Sequence, residues 1–480
     1  MGQFFKLADL GAIAPELELI LWGMGILIAD LIIKDKKKLG IVAIVGLFVS
    51  GIFLFRLNGV EATAYGGLLV IDQFANFFKL IFLVAATLAI AISMKYLDIE
   101  RENHGEYYAL ILFATMGMMF MAGAVDLVTM YISLETMAIA TYVLVGFLRS
   151  SQRSNEASLK YFLLGAFSSG ILLYGMSLLY GISGSTRFID IAEALSRRPL
   201  NDPISLMAMI TLSAGMFFKI AAVPFHQWTP DAYEGAPTSI TAYMSVAVKA
   251  ASFAMMVRVF MVAIYPMRPH WVAIMAAVSV MTMTVGNIAA ITQSNIKRLL
   301  AYSSISHAGY VLIGLIAGNQ TGLIAVAIYL LIYTFTNLGA WAVVVALKRR
   351  DVIGEHIDEM SGLFFKNPVA AILMLIFLLS LAGIPPTAGF IGKFYLFASA
   401  IETGHNTLAV IAVLNAAISI YFYLRIVVAM FMREPNEKTE LTYSPALLTV
   451  LAVAFIVTMF IGIYPDPFIS MARLAIPAGF

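Results

Sequence analysis

Apolar residues run along this chain in blocks of about 20, the length that crosses a hydrocarbon core of about 30 Å as a helix. Counted this way, about fourteen blocks stand out. They centre near Ile26, Val45, Val84, Leu112, Met137, Leu172, Leu212, Val248, Val278, Ile313, Leu331, Ile376 running on to Phe397, Val413 and Ala454. The polar stretches between them leave no room for an extramembrane domain. The pattern therefore predicts an all-α integral membrane protein with about 14 transmembrane helices.

Two blocks are interrupted. In the first, Lys219 is followed five residues on by Pro224 and then by FHQWTPDAYEGAPTS. In the second, LLSLAGIPPTAGFIGKFYLF places Gly383, Pro385, Pro386 and Gly389 inside an apolar run, with Lys393 just after. Proline removes a backbone hydrogen bond and clashes with the preceding turn, so both helices must open. Freed backbone groups in a membrane survive only against protein or a water-filled cavity, and one interrupted span in each half points to an ion path between inverted repeats. A simple kink would not explain a lysine beside each break. Lys219 precedes its proline whereas Lys393 follows its pair, so the halves are related without being equivalent. The expected architecture is two inverted five-helix repeats, each with a broken helix. The segments are 1–104 (N-terminal outer helices), 105–265 (first repeat), 266–435 (second repeat) and 436–480 (C-terminal helix and tail).

Composition narrows the function. Hydrophobic residues make up 61% of the chain and charged residues 12%, with a mean hydropathy of +0.91. About a quarter charged is usual for a soluble domain, so a soluble enzyme is excluded. With no cysteine there is no disulfide, thiolate zinc site, iron–sulfur ligation or covalent haem attachment. The net charge of +2, without a basic stripe, gives no reason to expect nucleic acid. The N-terminus lacks a basic region before a short apolar core, so no removed signal peptide is expected. Sixteen Lys and Arg fall in odd-numbered loops, among them Lys36, Lys297, Arg349, Arg350 and Lys438, and eight in even-numbered loops and termini, among them Lys6 and Arg258. That bias predicts both termini outside the cytoplasm.

Six cations remain inside apparent spans: Lys79, Lys160, Lys219, Lys249, Lys393 and Arg425. A charge in mid-membrane costs several kcal/mol on insertion scales and is a functional candidate. Lys79 lies one turn inside its span and Arg425 is flanked by aromatics, so both read as packing clamps. Lys160, four residues after Glu156, reads equally as a surface charge or a functional one. Glu135, Lys219 and Lys249 are surrounded by apolar residues and cannot snorkel. Three ionisable groups on three spans read as a relay rather than as ion pairs fixing helix register. His307 in YSSISHAGY has hydroxyl neighbours Ser303, Ser304 and Ser306 and joins the relay; His226 follows the first break, and a hydrogen-bonding role suits it slightly better. No residues have metal-ligand or nucleotide-loop spacing, so neither is expected.

KIAAVPFHQWTPDAYEGAPTSITAYMSVAVKAASFAMMVR, NIKRLLAYSSISHAGY, LLSLAGIPPTAGFIGKFYLF and YFYLRIVVAMF resemble the antiporter-like membrane subunits of respiratory complex I, over about the third to the thirteenth span. The chain ends shortly after its last span, unlike the paralogue with a long lateral helix. The resemblance implies proton translocation driven by quinone reduction elsewhere in the complex. By position, Glu135 is similar to the family's mid-membrane glutamate, Lys219 to its partner on the broken helix and Lys160 to a lysine modulating that pair. Lys249 matches the connecting lysine and Lys393 that of the second half-channel. It further implies no cofactor on this chain, with NADH, FMN, iron–sulfur clusters and quinone in other subunits. Expected partners are other antiporter-like subunits, small helical subunits and lipid, in a bacterial inner membrane. A multi-subunit sodium/proton antiporter shares the fold and lysines, though PDAYEGAPT favours complex I; a scaffold with relic charges is the third reading.

Overall fold

The computed structural model describes residues 7–348, 355–435 and 443–476; Lys6, Arg349, Arg350 and Lys438 of the charge count lie outside the described residues. The first third holds α1 (Leu7–Ala12), α2 (Ala14–Ile32), α3 (Lys37–Arg56), a small hairpin of β1 (Ala62–Ala64) with β2 (Leu69–Ile71), α4 (Gln73–Glu100), α5 (Gly105–Gly123) and α6 (Leu127–Val145). Next come α7 (Gln152–Ser183), α8 (Phe188–Ser196), α9 (Pro203–Lys219), α10 (Trp228–Gly235), α11 (Thr238–Tyr243), α12 (Lys249–Arg258), α13 (Arg268–Ile291), α14 (Ile296–Ala317) and α15 (Gln320–Leu347). The last third comprises α16 (Leu363–Lys366), α17 (Pro368–Ala382), α18 (Ala388–Glu402), α19 (Asn406–Met432), α20 (Pro445–Ile463) and α21 (Asp466–Ala475).

Local chemistry sets these boundaries. Side chains of Asp72, Asp126, Asn295 and Asn319 accept from backbone N–H groups in the first turns of α4, α6, α14 and α15, satisfying donors that have no helical partner. Gly184 and Gly318 end α7 and α14 in the left-handed conformation that glycine adopts without steric cost.

Eleven helices among the described residues are long and apolar enough to cross a membrane. Burial grades them from interior to rim. The apolar stretch of α15 is 100% buried and those of α14 and of Thr238–Ala263, which contains α11 and α12, are 94% buried, against 39% for α3, α7 and α19. A helix apolar on all sides belongs in the interior, and one with a single buried stripe at the rim facing lipid or a partner. The buried helices carry Lys249 and His307.

Polar clamps fix this packing. Lys79 Nζ lies 2.6 Å from Glu16 Oε1, tying α4 to α2. Arg425 donates to the carbonyls of Ile291 and Gln293 at the end of α13. These contacts suit the packing roles read for Lys79 and Arg425. Two cations assigned to loops belong instead to the interior. Arg258 ends α12 and is 4% exposed: its guanidinium grips Asp72 through two hydrogen bonds of 2.8 and 2.7 Å and the Ala122 carbonyl at 3.0 Å. Lys297, 1% exposed, donates to the Ala236 carbonyl at 2.7 Å and to Glu355 at 3.3 Å. Both are buried because their donors find carbonyl and carboxylate partners there, which a count along the chain does not reveal.

Candidate functional site

The first break begins where α9 ends at Lys219. Ala221 takes a φ of 60°, a left-handed conformation that costs a residue with a Cβ, and the chain then turns through Pro224 to Trp228. The loosened backbone is re-satisfied by side chains: Trp228 Nε1 donates to the Phe218 carbonyl at 3.0 Å, and the Val223 N–H donates to Thr282 Oγ1 at 2.9 Å. Trp228 stacks on Tyr161 with centroids 4.5 Å apart, holding α10 against α7. Backbone groups freed at Phe218 and Val223 thus find protein partners, as a membrane requires, while Pro224 and Gln227 of the break stay exposed.

Lys219 is buried, and its Nζ donates to Ser169 Oγ at 3.5 Å. Ser169 in turn donates to Glu135 Oε1 at 2.6 Å. The sequence-predicted pair therefore communicates through a hydroxyl on α7, with no direct ion pair among the described residues. Glu135 is half-buried, on a face of α6 where Ile132 and Ile139 are 60% and 57% exposed. Sequence reasoning missed Ser169, one of many serines in spans, with no neighbour to single it out.

Lys249 opens α12 directly after a π-helical turn at Met244–Val248, and a second such turn at Val259–Ala263 follows Arg258. π-turns widen a helix locally and often mark functional sites. Lys249 Nζ donates to the carbonyl of Ser304 and to Ser304 Oγ, the latter at 2.5 Å. One turn along α14, His307 Nδ1 lies 2.5 Å from Tyr329 OH and Nε2 lies 3.1 Å from Tyr423 OH. The tyrosines come from α15 and α19, elements that nothing in the sequence pairs with His307.

At the second break, α17 stops at Ala382, Gly383 takes a φ of 85°, and α18 starts at Ala388 after Pro385 and Pro386. A Cβ on Gly389 would sit 1.7 Å from the Ser380 carbonyl oxygen, so only glycine lets the two limbs approach. Lys393 reaches back from α18 and donates to the carbonyls of Leu381 at 3.0 Å and Ala382 at 2.8 Å. It thereby caps the negative end of α17, while its ammonium lies 4.9 Å from the centre of the Tyr310 ring. A cavity of about 10 Å³ lies beside the break, lined among others by His307, Tyr329, Tyr333, Thr336, Ser380 and Gly389.

Lys249, His307 and Lys393 are therefore brought together, and Lys219 and Glu135 form a second group. Lys160 joins neither. Its exposed side chain pairs with Glu156 at 2.8 Å and Asp231 at 3.0 Å, in a charged cluster where Arg298 bridges Asp231 and Glu234. Next to that cluster, burial pushes the Glu355 carboxyl up, but Lys297 and Arg153 outweigh it and hold it below the usual carboxylate range. His226 lies half-buried in the first break. No cluster of three or more His, Cys, Asp or Glu able to hold a metal occurs among the described residues.

The chain is similar to known proteins in sequence and in fold. The family described as NADH:quinone oxidoreductase/Mrp antiporter, TM, matches residues 124–419, a range that holds Glu135, Lys219, Lys249, His307 and Lys393. NADH-quinone oxidoreductase subunit N 2 of Solibacter usitatus is 52% identical over 98% of this chain and 98% of its own. Subunit N of Trichlorobacter lovleyi is 45% identical over 99% of each. A chain of respiratory complex I from Thermus thermophilus with bound aureothin superposes with a TM-score of 0.81 at 31% identity, covering 96% of this chain and 99% of that one. A chain of the Mrp complex from Dietzia sp. reaches a TM-score of 0.83 at 21% identity, over 98% and 97%, and so shares the fold. On this likeness, near full length in sequence and in structure, the chain belongs to the NADH:quinone oxidoreductase/Mrp antiporter transmembrane family.

Proposed function

We propose that this chain is a proton-translocating membrane subunit of an NADH:quinone oxidoreductase, with Glu135, Lys219, Lys249, His307 and Lys393 as its relay. The observation that carries this reading is the state of the three lysines. Lys219, Lys249 and Lys393 are all buried, and none forms an ion pair among the described residues; hydroxyls and carbonyls hold them instead. A buried cation without a counter-ion is costly and persists where function requires it. Neutral acceptors also leave an ammonium free to give up its proton, whereas Lys79 is pinned to Glu16. Moving Glu135 toward or away from Lys219 changes how firmly that lysine holds its proton, and Lys249 and Lys393 receive what it releases.

The architecture supports this reading. Eleven spans, α2 and the two broken pairs α9/α10 and α17/α18 amount to fourteen crossings. Residues 105–265 and 266–435 then hold five crossings each, with the broken one fourth in both. An odd number per repeat inverts the second relative to the first, as in inverted-repeat transporters. The chain supplies no redox centre of its own in this scheme, NADH, FMN, iron–sulfur clusters and quinone belonging to other subunits. A carboxylate as open as Glu135 calls for cover by a neighbouring membrane subunit rather than lipid. Lys160 acts from the inner charged surface.

Purification from membranes tests the assignment. Flavin, iron–sulfur clusters and peripheral subunits should accompany the chain; small membrane partners alone, with a strict sodium requirement, would mark a sodium/proton antiporter instead. Both termini lie outside the cytoplasm in this scheme. A cysteine introduced at Lys36 should be shielded from an impermeant external reagent and one at Asn201 labelled, and the reverse pattern would overturn the orientation.

A further inference from the structure

We infer that the phenols of Tyr423 and Tyr329 are proton-carrying members of the relay, passing a proton through His307 from one ring nitrogen to the other. The inference rests on the reading above and adds to it two residues from helices outside the lysine-bearing set.

Four side chains from three helices form one hydrogen-bonded file. Ser303 Oγ and Tyr423 OH are 2.5 Å apart, Tyr423 OH and His307 Nε2 3.1 Å, and His307 Nδ1 and Tyr329 OH 2.5 Å. All four residues are at most 3% exposed, so bulk water does not compete for these contacts. The file is placed between the two lysines. At one end Ser303 adjoins Ser304, which holds Lys249. At the other, the Tyr329 ring packs against Gly392, next to Lys393, where an added Cβ would come within 2.8 Å of Tyr329 Cδ2.

The geometry also supplies the outlet. Tyr329 and His307 both line the cavity of about 10 Å³ that reaches Ser380 and Leu381 at the second break. That is roughly the space one water needs. Tyr333, 4% exposed, also lines this cavity. Leu381 in turn accepts from Lys393.

The transfer balances without a charged intermediate on the ring. In the starting tautomer Nδ1 carries the proton and donates to Tyr329, while Nε2 accepts from Tyr423. A proton reaching the Tyr423 oxygen forms a new O–H bond there as the old O–H bond breaks toward Nε2. The N–H bond at Nδ1 breaks toward the Tyr329 oxygen, whose own hydroxyl proton passes into the cavity. One proton enters and one leaves. The ring ends protonated on Nε2, and rotation of the ring and of both hydroxyls, with no proton passing back through the file, returns an N–H toward Tyr329 and a free nitrogen toward Tyr423. A histidine with a hydroxyl on each nitrogen suits such a through-transfer, since imidazole both donates and accepts.

The test uses the whole complex in sealed vesicles, with proton uptake measured per quinone reduced. Tyr423→Phe and Tyr329→Phe remove one oxygen each and keep the ring. Each should assemble in normal amount and lower coupled proton uptake roughly tenfold or more, the scale of a lost proton-transfer group. Tyr107→Phe, an equally buried tyrosine held by Ser93 and Ser239 away from the file, controls for the loss of a buried hydroxyl and should pump normally. Should Tyr423→Phe fail to assemble, Ser303→Ala breaks the same file at its first link. Normal uptake in both phenylalanine variants, with Lys249→Ala disabled, would reduce the tyrosines to packing and leave the lysine relay standing. Normal uptake in Lys249→Ala as well would overturn the relay itself. Equal losses in Tyr107→Phe would assign the effect to buried hydroxyls in general and overturn the inference.

Discussion

The two broken helices hold their lysines in opposite ways. At the first, Lys219 is the last residue of α9, and its contacts run outward through Ser169 to a carboxylate on a half-open face of α6. At the second, Lys393 sits past the break and turns back on the carbonyls that end α17, with no acid in contact among the described residues. In the proposed scheme one lysine is tuned by a charge that a neighbouring subunit can reach. The other is tuned by the end of a helix and by the tyrosine–histidine file beside it. In this account an inverted repeat preserves the breaks while the groups controlling each lysine diverge. The first half listens to the outside, and the second responds to the interior.

The largest effect should come from dismantling the first arrangement. Glu135→Ala and Lys219→Ala should each leave the complex assembled and lower coupled quinone reduction roughly tenfold or more, because each removes one partner of a proton-transfer pair. The double variant should lose less than the two losses combined, since the residues act as one unit. Strictly multiplicative losses would show that the Ser169 bridge carries no coupling.

The clamp on the central helix comes next. Arg258→Ala leaves Asp72 buried and unpaired and should cost about 3–5 kcal/mol. Thermal denaturation of the purified complex should show this subunit released first, and an unchanged transition would contradict the clamp. The smallest effect concerns Glu355, whose carboxyl lies below the usual range in the folded protein. A lowered value stabilises the fold fully above the unfolded value of about 4.3 and is lost as pH falls through the folded one. The Lys297–Glu355 contact should therefore hold at neutral pH and open only in acid, and hydrogen exchange of the segment after Glu355 checks this. Opening between pH 6 and 8 would contradict it.

The breaks were legible in the sequence because Pro224, Pro385, Pro386 and Gly389 act locally, through a lost N–H or a missing Cβ, and a lysine in an apolar run carries its own cost. Eleven helices among the described residues are long and apolar enough to cross a membrane, and the apolar blocks were legible as well. The partners were not. Ser169, Tyr329 and Tyr423 lie 22 to 116 positions from the groups they touch, and serines and tyrosines are unremarkable in spans. Arg258 was misplaced because a guanidinium near the end of an apolar run resembles a loop charge until Asp72, 186 positions away, is seen against it. Lys160 lies within a helix, and only the fold brings Asp231 to it at the surface.

The central claim is that buried lysines at the breaks release protons, and Lys393→Arg tests it most directly. Arginine keeps the positive charge and the donors for the Leu381 and Ala382 carbonyls, so the cap on α17 survives, but a guanidinium stays protonated at any accessible pH. Proton translocation per quinone turnover should be measured for the assembled variant in sealed vesicles. The account predicts normal assembly with clearly lowered translocation, or lowered turnover if the two are tightly coupled. Translocation and turnover equal to the unmodified complex would show that Lys393 only caps a helix, and would contradict the relay at its second break.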